Sequence, residues 1–226
     1  MTGRLVGALL VLLLLGAGAG YAVAEARTSD TPPPGPVGFA SPAPVPAADP
    51  SYPVNEYDVQ PDPSTAPLAT GLPLHEESFR GGGFRLQAQA PDGWRRVSLA
   101  GNTSWQFTVQ TNPANTYLLR IGLLAGNRQD VTVASNARVF ALQQLELDGN
   151  AQNLVIQDQY VTDDHSEAGF TATFIDVGGY RRVAVERFLA LPGQTSAYYT
   201  VAVSGREVDR DGITDLIGRI VATAHP

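Results

Sequence analysis

Residues 169–191 read GFTATFIDVGGYRRVAVERFLAL: two apolar-rich runs joined by Gly178-Gly179. A two-residue glycine link between such runs is a β-hairpin signal, because its positive-φ turn matches the twist of the flanking strands. The pattern continues on both sides. NLVIQDQYV (153–161) precedes the hairpin, and Leu191-Pro192-Gly193-Gln194 leads into SAYYTVAVS (196–204). Strand-like runs at this spacing predict an antiparallel meander.

Further upstream, residues 133–147 carry Ala137, Phe140, Ala141, Gln144 and Leu145 at helical spacing, stopped by Asp148-Gly149-Asn150. Before that helix lie four shorter strand-like runs: FRLQAQA (84–90), WRRVSL (94–99), SWQFTVQ (104–110) and TYLLRIGLLA (116–125). SWQFTVQ alternates with period two, putting Trp105, Phe107 and Val109 on one face, and the nearly continuous apolar run after it reads as a central strand. The chain closes with GITDLIGRIVATA (212–224), whose Ile213, Leu216, Ile217, Ile220 and Val221 form one stripe of an amphipathic helix. Asp209 or Asp211 is placed to N-cap it. Runs of strands with two helices, and no regular β-α-β alternation, predict an α+β class: an antiparallel sheet flanked by helices. That order argues against a dinucleotide-binding fold.

The run APDGWRRV (90–97) is a turn followed by a tryptophan that reads as a core anchor. Pro91 presets φ, Asp92 can bond its own backbone, and Gly93 accepts positive φ. The remaining aromatics singled out are Trp105, Tyr160, Phe170, Phe174, Tyr180, Tyr198 and Tyr199, read as core, although neighbours 198 and 199 must face opposite ways.

With these elements in place, the chain resembles the PsbP-like family. The resemblance rests on Pro91-Asp92-Gly93-Trp94 after an early strand, on the strand with Trp105 and Phe107, on the acidic link into residues 169–191, and on the final helix. It covers about residues 80 to 226. It implies an α/β/α sandwich and a binding or assembly role, mostly without catalysis. Members include extrinsic proteins of photosystem II and exported actinobacterial lipoproteins. This chain departs from the lipoproteins in having no cysteine to carry a lipid.

Three segments follow from composition. Residues 1–26 hold LVGALLVLLLLGAGAGYAVA (5–24) after Arg4. Twenty apolar residues at ~1.5 Å each span ~30 Å, one bilayer core. With Arg4 before the run and acids after it, the rest of the chain is expected outside the cytoplasm. Ala22-Val23-Ala24 also fits a signal-cleavage pattern, so anchor and cleaved signal stay open. Gly16 and Gly20 make a small-xxx-small pair that reads as incidental in so glycine-rich a run. Residues 27–79 contain TPPPGPVG and SPAPVPAADP and seven acids, with Glu25 just before them. Proline removes donors and favours extended chain, so this segment is expected to be a disordered, acidic, Pro-rich linker. Residues 80–226 are expected to be the globular domain.

Composition also excludes classes. Residues 80–226 carry 13 Arg against 14 Asp plus Glu, so there is no basic excess to neutralise phosphates and no nucleic-acid partner is expected. With no cysteine, disulfides, thiolate metal sites and thiol nucleophiles are all absent. All 15 basic residues are Arg, which together with abundant Ala, Gly and Pro matches GC-rich, actinobacterial usage.

Five constellations contain residue types that carry chemistry. Asp163-Asp164-His165-Ser166-Glu167 has metal-ligating types, but consecutive residues between two strands read as a solvated hairpin tip. Glu207 to Gly212 resembles the opening of a calcium loop, yet Gly218 stands where the bidentate Glu belongs. His165 and His225, with Ser104 and Ser204 on strands and no G-x-S-x-G, do not compose a hydrolase triad. Gly81-Gly82-Gly83 precedes a strand rather than opening a helix, so it is no phosphate cradle. In Arg95-Arg96 and Arg181-Arg182 one side chain of each pair must face opposite to the other, most simply to meet an acid. No catalytic, cofactor or metal residue is therefore assigned. The expectation is a membrane-tethered, extracytoplasmic, non-enzymatic domain that binds or scaffolds an envelope protein. The alternatives are a secreted carrier of a small apolar ligand, or an enzyme with a site near His165.

Overall fold

The computed structural model describes residues 57–109 and 116–226. The apolar run at 5–24 and the linker up to residue 56 lie outside the described residues, and with them the expected anchor. Among the described residues no helix is long and apolar enough to cross a membrane.

Nine strands and two α-helices are described. In chain order they are β1 (Leu74–Gly81), β2 (Phe84–Pro91), β3 (Trp94–Ser98), β4 (Ser104–Val109), β5 (Leu118–Leu123), α1 (Val131–Leu147), β6 (Ala151–Val161), β7 (Glu167–Asp176), β8 (Arg181–Ala190), β9 (Ala197–Gly205) and α2 (Arg210–Thr223). Seven strands form one antiparallel sheet in the order β3-β4-β5-β9-β8-β7-β6. The meander β6 to β9 is therefore present. Helix α1 carries the chain from β5 to the far edge, and the meander then returns until β9 pairs with β5.

Period two sorts the sheet into two faces, because residues paired across neighbouring strands share a face. On one face Trp105, Phe107, Leu119, Ile121, Val183, Val201 and Val203 are buried beneath α2 and the β1–β2 hairpin. Phe79 of β1 packs against both Trp105 (centroids 5.0 Å apart) and Phe107 (6.0 Å, edge on). On the other face Phe170, Ala172 and Phe188 lie under Val131, Ala134, Val139 and Leu142 of α1. The result is an antiparallel sheet with a helix on each face, as the α+β reading expected. Neither helix covers its whole face: α1 packs on β6, β7 and β8, while α2 packs on β9, β8 and β2.

Three expectations need correction. First, β2 does not join the main sheet. It pairs along its length with β1 in a separate two-stranded sheet, from Leu74↔Pro91 to Gly81↔Phe84. Second, ordered structure begins before residue 80. Besides β1, Leu68 is buried and Gln60 bridges to Tyr180. The prolines of this stretch suit an extended strap that lies on the domain without needing ladder bonds. Third, α1 is turned about its axis. Val131, Ala134, Ser135, Val139 and Leu142 are buried, while Ala137, Phe140, Ala141 and Leu145 are exposed. The buried stripe mixes small residues, Ala134 and Ser135, with Val131, Val139 and Leu142, and the larger Phe140 lies on the opposite side.

The edges of the main sheet are protected. β3 is only five residues long. β6 has register shifts between Gln152 and Val155 and between Gln157 and Tyr160, with Asn153 and Asp158 at positive φ. Bulges of this kind spoil an edge as a template for strand addition.

Candidate functional site

The polar tip at 162–167 is a self-contained turn. The Asp164 carboxylate accepts from the Ser166 hydroxyl (2.8 Å), the Thr162 hydroxyl (2.8 Å) and the Ser166 N–H (3.1 Å). Those bonds, the Ser166 hydroxyl first, hold its pKa below the ordinary carboxylate value. His165 sits at φ 54° and its N–H donates to Thr162 O. Glu167 leaves the tip to accept from Tyr160 and pair with Arg187. Burial, then this bond, raises the Tyr160 hydroxyl pKa. Asp164, Ser166 and Glu167 thus serve the turn and its flanks rather than converging on one point.

The stretch at 207–212 has a different role from the one its spacing suggested. Glu207 pairs with Arg210 at 2.8 Å. Asp209 makes no side-chain cap for α2. It is fully buried against Arg206, itself 1% exposed. Arg206 Nε and Nη2 donate to the two Asp209 oxygens at 2.9 and 2.7 Å. The remaining donors reach back into the strap: Pro63 O, Thr65 O, Thr65 Oγ1 and Ala66 O, all within 3.0 Å. Asp209 also accepts from the Leu68 N–H at 2.9 Å. Burial pushes the Asp209 carboxyl up, but hydrogen bonds from Arg206 and Leu68 outweigh it and hold the group below its ordinary range. This buried pair staples residues 63–68 to the domain. Its partners lie about 140 positions away in the chain, so no local motif announces it.

Each arginine pair splits as period two requires. Arg96 faces the core side, its guanidinium 4.7 Å from the Phe79 ring centroid and 2.7 Å from Glu77, while Arg95 is exposed. Arg182 is buried and pairs with Asp176 at 2.7 Å, while Arg181 is exposed. Trp105, Phe170 and Tyr199 are core, and burial pushes the Tyr199 hydroxyl up to about 12. Trp94 is only half-buried, stacked on Tyr117 at 5.6 Å. Tyr160 is exposed. Tyr198 is half-buried and donates to Arg85 O at 2.8 Å, which ties β9 to the hairpin. Ser104 lies on β4 and Ser204 on β9. The His225 backbone is bonded to Gln87. Gly82 and Gly83 form the turn between β1 and β2. Among the described residues no group of three or more His, Cys, Asp or Glu side chains is placed to hold a metal ion.

The outward side of α1 carries several exposed apolar residues. Val133 is 52% exposed, Phe140 61% and Leu147 78%, with Leu145 beside them. They share this side of α1 with exposed Ala137 and Ala141. Exposed apolar residues that occur singly are ordinary, but a contiguous patch marks an interaction surface.

No protein-family description matches the chain, and no curated protein does. Several solved structures are similar in shape at low identity. The Ran-binding protein Mog1p of Saccharomyces cerevisiae is 9% identical, with a TM-score of 0.48 over 68% of this chain and 96% of its own. Cyanobacterial PsbP from Synechocystis is 15% identical, with 0.42 over 62% and 85%. LpqN of Mycobacterium tuberculosis, described as involved in cell envelope biogenesis, is 14% identical, with 0.37 over 67% and 90%.

Proposed function

We propose that this chain is a membrane-tethered binding domain outside the cytoplasm, without catalytic chemistry of its own, that docks an envelope protein on the outward side of α1. The observation that carries the reading is that exposed stripe: a helix already packed through Ala134, Val139 and Leu142 keeps Phe140 and Leu147 in water. Burying a Phe side chain stabilises by ~1.5–3 kcal/mol. Aromatic anchors of this kind dominate binding at interface centres. The tether rests on the apolar run 5–24, with Arg4 before it.

The test is a tagged full-length chain recovered from the membrane fraction and compared with Phe140→Asp. A charge at an exposed position leaves the fold intact but opposes burial in an interface. One protein is expected to co-purify with the wild type and to drop at least tenfold with the variant, at unchanged melting temperature. Equal recovery with both chains would remove α1 as the docking face. Recovery of the wild type from the medium would remove the tether.

A further inference from the structure

A second feature lies beside α1 and is independent of its outward stripe. On the sheet face that α1 half covers, β5, β9 and β8 place Arg120, Ala202 and Glu186 side by side, in register. Arg138 and Leu142 of α1 form one wall of a cavity of about 150 Å³ over this row. A larger recess of about 430 Å³ opens next to it and shares Leu118, Phe174 and Ser204 with the first. The two make one slot with an apolar floor and arginines at its sides.

The charges in this slot do not balance. Arg138 donates to Glu186 at 2.9 Å, and Arg182 donates to Asp176 at 2.7 Å. Arg120 has no acid: among the described residues it makes no ion pair or hydrogen bond, and its Nε is cut off from water without an acceptor. Arg182, only 8% exposed, likewise has its Nη1 buried and unpartnered. A buried donor without an acceptor is destabilising. Arg120 lines the smaller cavity and Arg182 the larger recess, and the formal sum of the charged side chains around the two is one positive charge. Arg120 is thus the guanidinium of the slot whose charge no acid of the described residues neutralises.

We infer that this slot binds an amphiphilic anion: a carboxylate or phosphate head on a short apolar body. The head lies against Arg120, where a planar guanidinium can bond two oxygens at once, with Arg182 facing it from the recess. The apolar body lies along Leu118, Phe174 and Ala202. A neutral apolar molecule would leave Arg120 unsatisfied, and a cationic amphiphile would add repulsion.

The test uses the full-length chain in phosphatidylcholine nanodiscs, with empty nanodiscs as the blank. Hexanoate, hexyl phosphate, hexanol and hexylammonium are titrated separately and followed by ligand-detected NMR. At least one of the two anions is expected to bind ten times or more tighter than hexanol, with hexylammonium weakest. The tighter anion identifies the head group. Arg120→Met is expected to lower that affinity at least tenfold while changing hexanol little. Ala202→Leu fills the slot without touching an arginine and is expected to abolish anion binding, which keeps the test sound should Arg120→Met not fold. Anions that bind no better than hexanol would overturn the assignment, as would undiminished binding to both variants. Neither outcome bears on the outward side of α1, so the two readings fail separately.

Discussion

At the scale of single residues, the molecule is decided by which side chains find partners far away in the chain. Trp105 is enclosed by the sheet and Phe79, whereas Trp94 is half in water against Tyr117. Trp105→Ala is therefore expected to cost roughly 3–5 kcal/mol in denaturant unfolding, and Trp94→Ala about half of that. The Arg206–Asp209 pair is more exacting, because removing one member leaves the other buried and uncompensated. Arg206→Ala is expected to cost about 3–5 kcal/mol and to expose residues 63–68 to proteolysis. Its pH dependence has a definite sign. Asp209 has a lowered pKa in the fold, so its stabilisation is present above the unfolded value of roughly 3.9 and is lost as pH falls through the lower folded value. The stability gap between the wild type and Asp209→Asn should thus be constant from neutral pH down to roughly pH 4 and close below it. A gap that instead closed near neutrality would show another group in control. Of these residues, Trp105 was legible from period two alone. Asp209 was read as a helix cap because its nearest sequence neighbours form the start of α2, while its real partners come from the strap.

At the scale of elements, the meander, both helices and the Gly149 stop could be read from alternation, helical spacing and turn chemistry. What could not be read was how elements turn and where they pack. Helix α1 has apolar residues on two sides, so spacing alone left its buried side undecided, and the volume that fits against Phe170 and Ala172 settled it. β1 was hidden because LHEESFRG carries only one buried side chain, Phe79. The strap looked like more of the Pro-rich linker because its stabilisation comes from Arg206, not from its own pattern. Its fit against α2 gives a sharp prediction at Gly212. An Ala in an exposed helix is usually worth up to about 1 kcal/mol over Gly. Here a Cβ would sit 2.1 Å from Leu68 O. Gly212→Ala is therefore expected to lower the melting temperature and loosen the strap, seen as faster amide exchange at Leu68. A raised melting temperature would mean that the strap does not rest there.

At the scale of the whole molecule, the fold is a sheet with each face partly covered, one edge short and the other bulged, and an outward helix side that no element of the described residues occupies. The near-neutral charge balance of residues 80–226 gives no long-range pull on nucleic acid, so affinity has to come from local contact. That is the role assigned to α1. The most direct measurement is site-specific photocrosslinking in living cells, with the photoreactive residue placed at Phe140 in one strain. In the other it replaces Val208, which is 56% exposed just ahead of α2. One discrete crosslinked protein is expected from position 140 and none from position 208. The same smear from both positions, or no adduct from either, would contradict that role for α1.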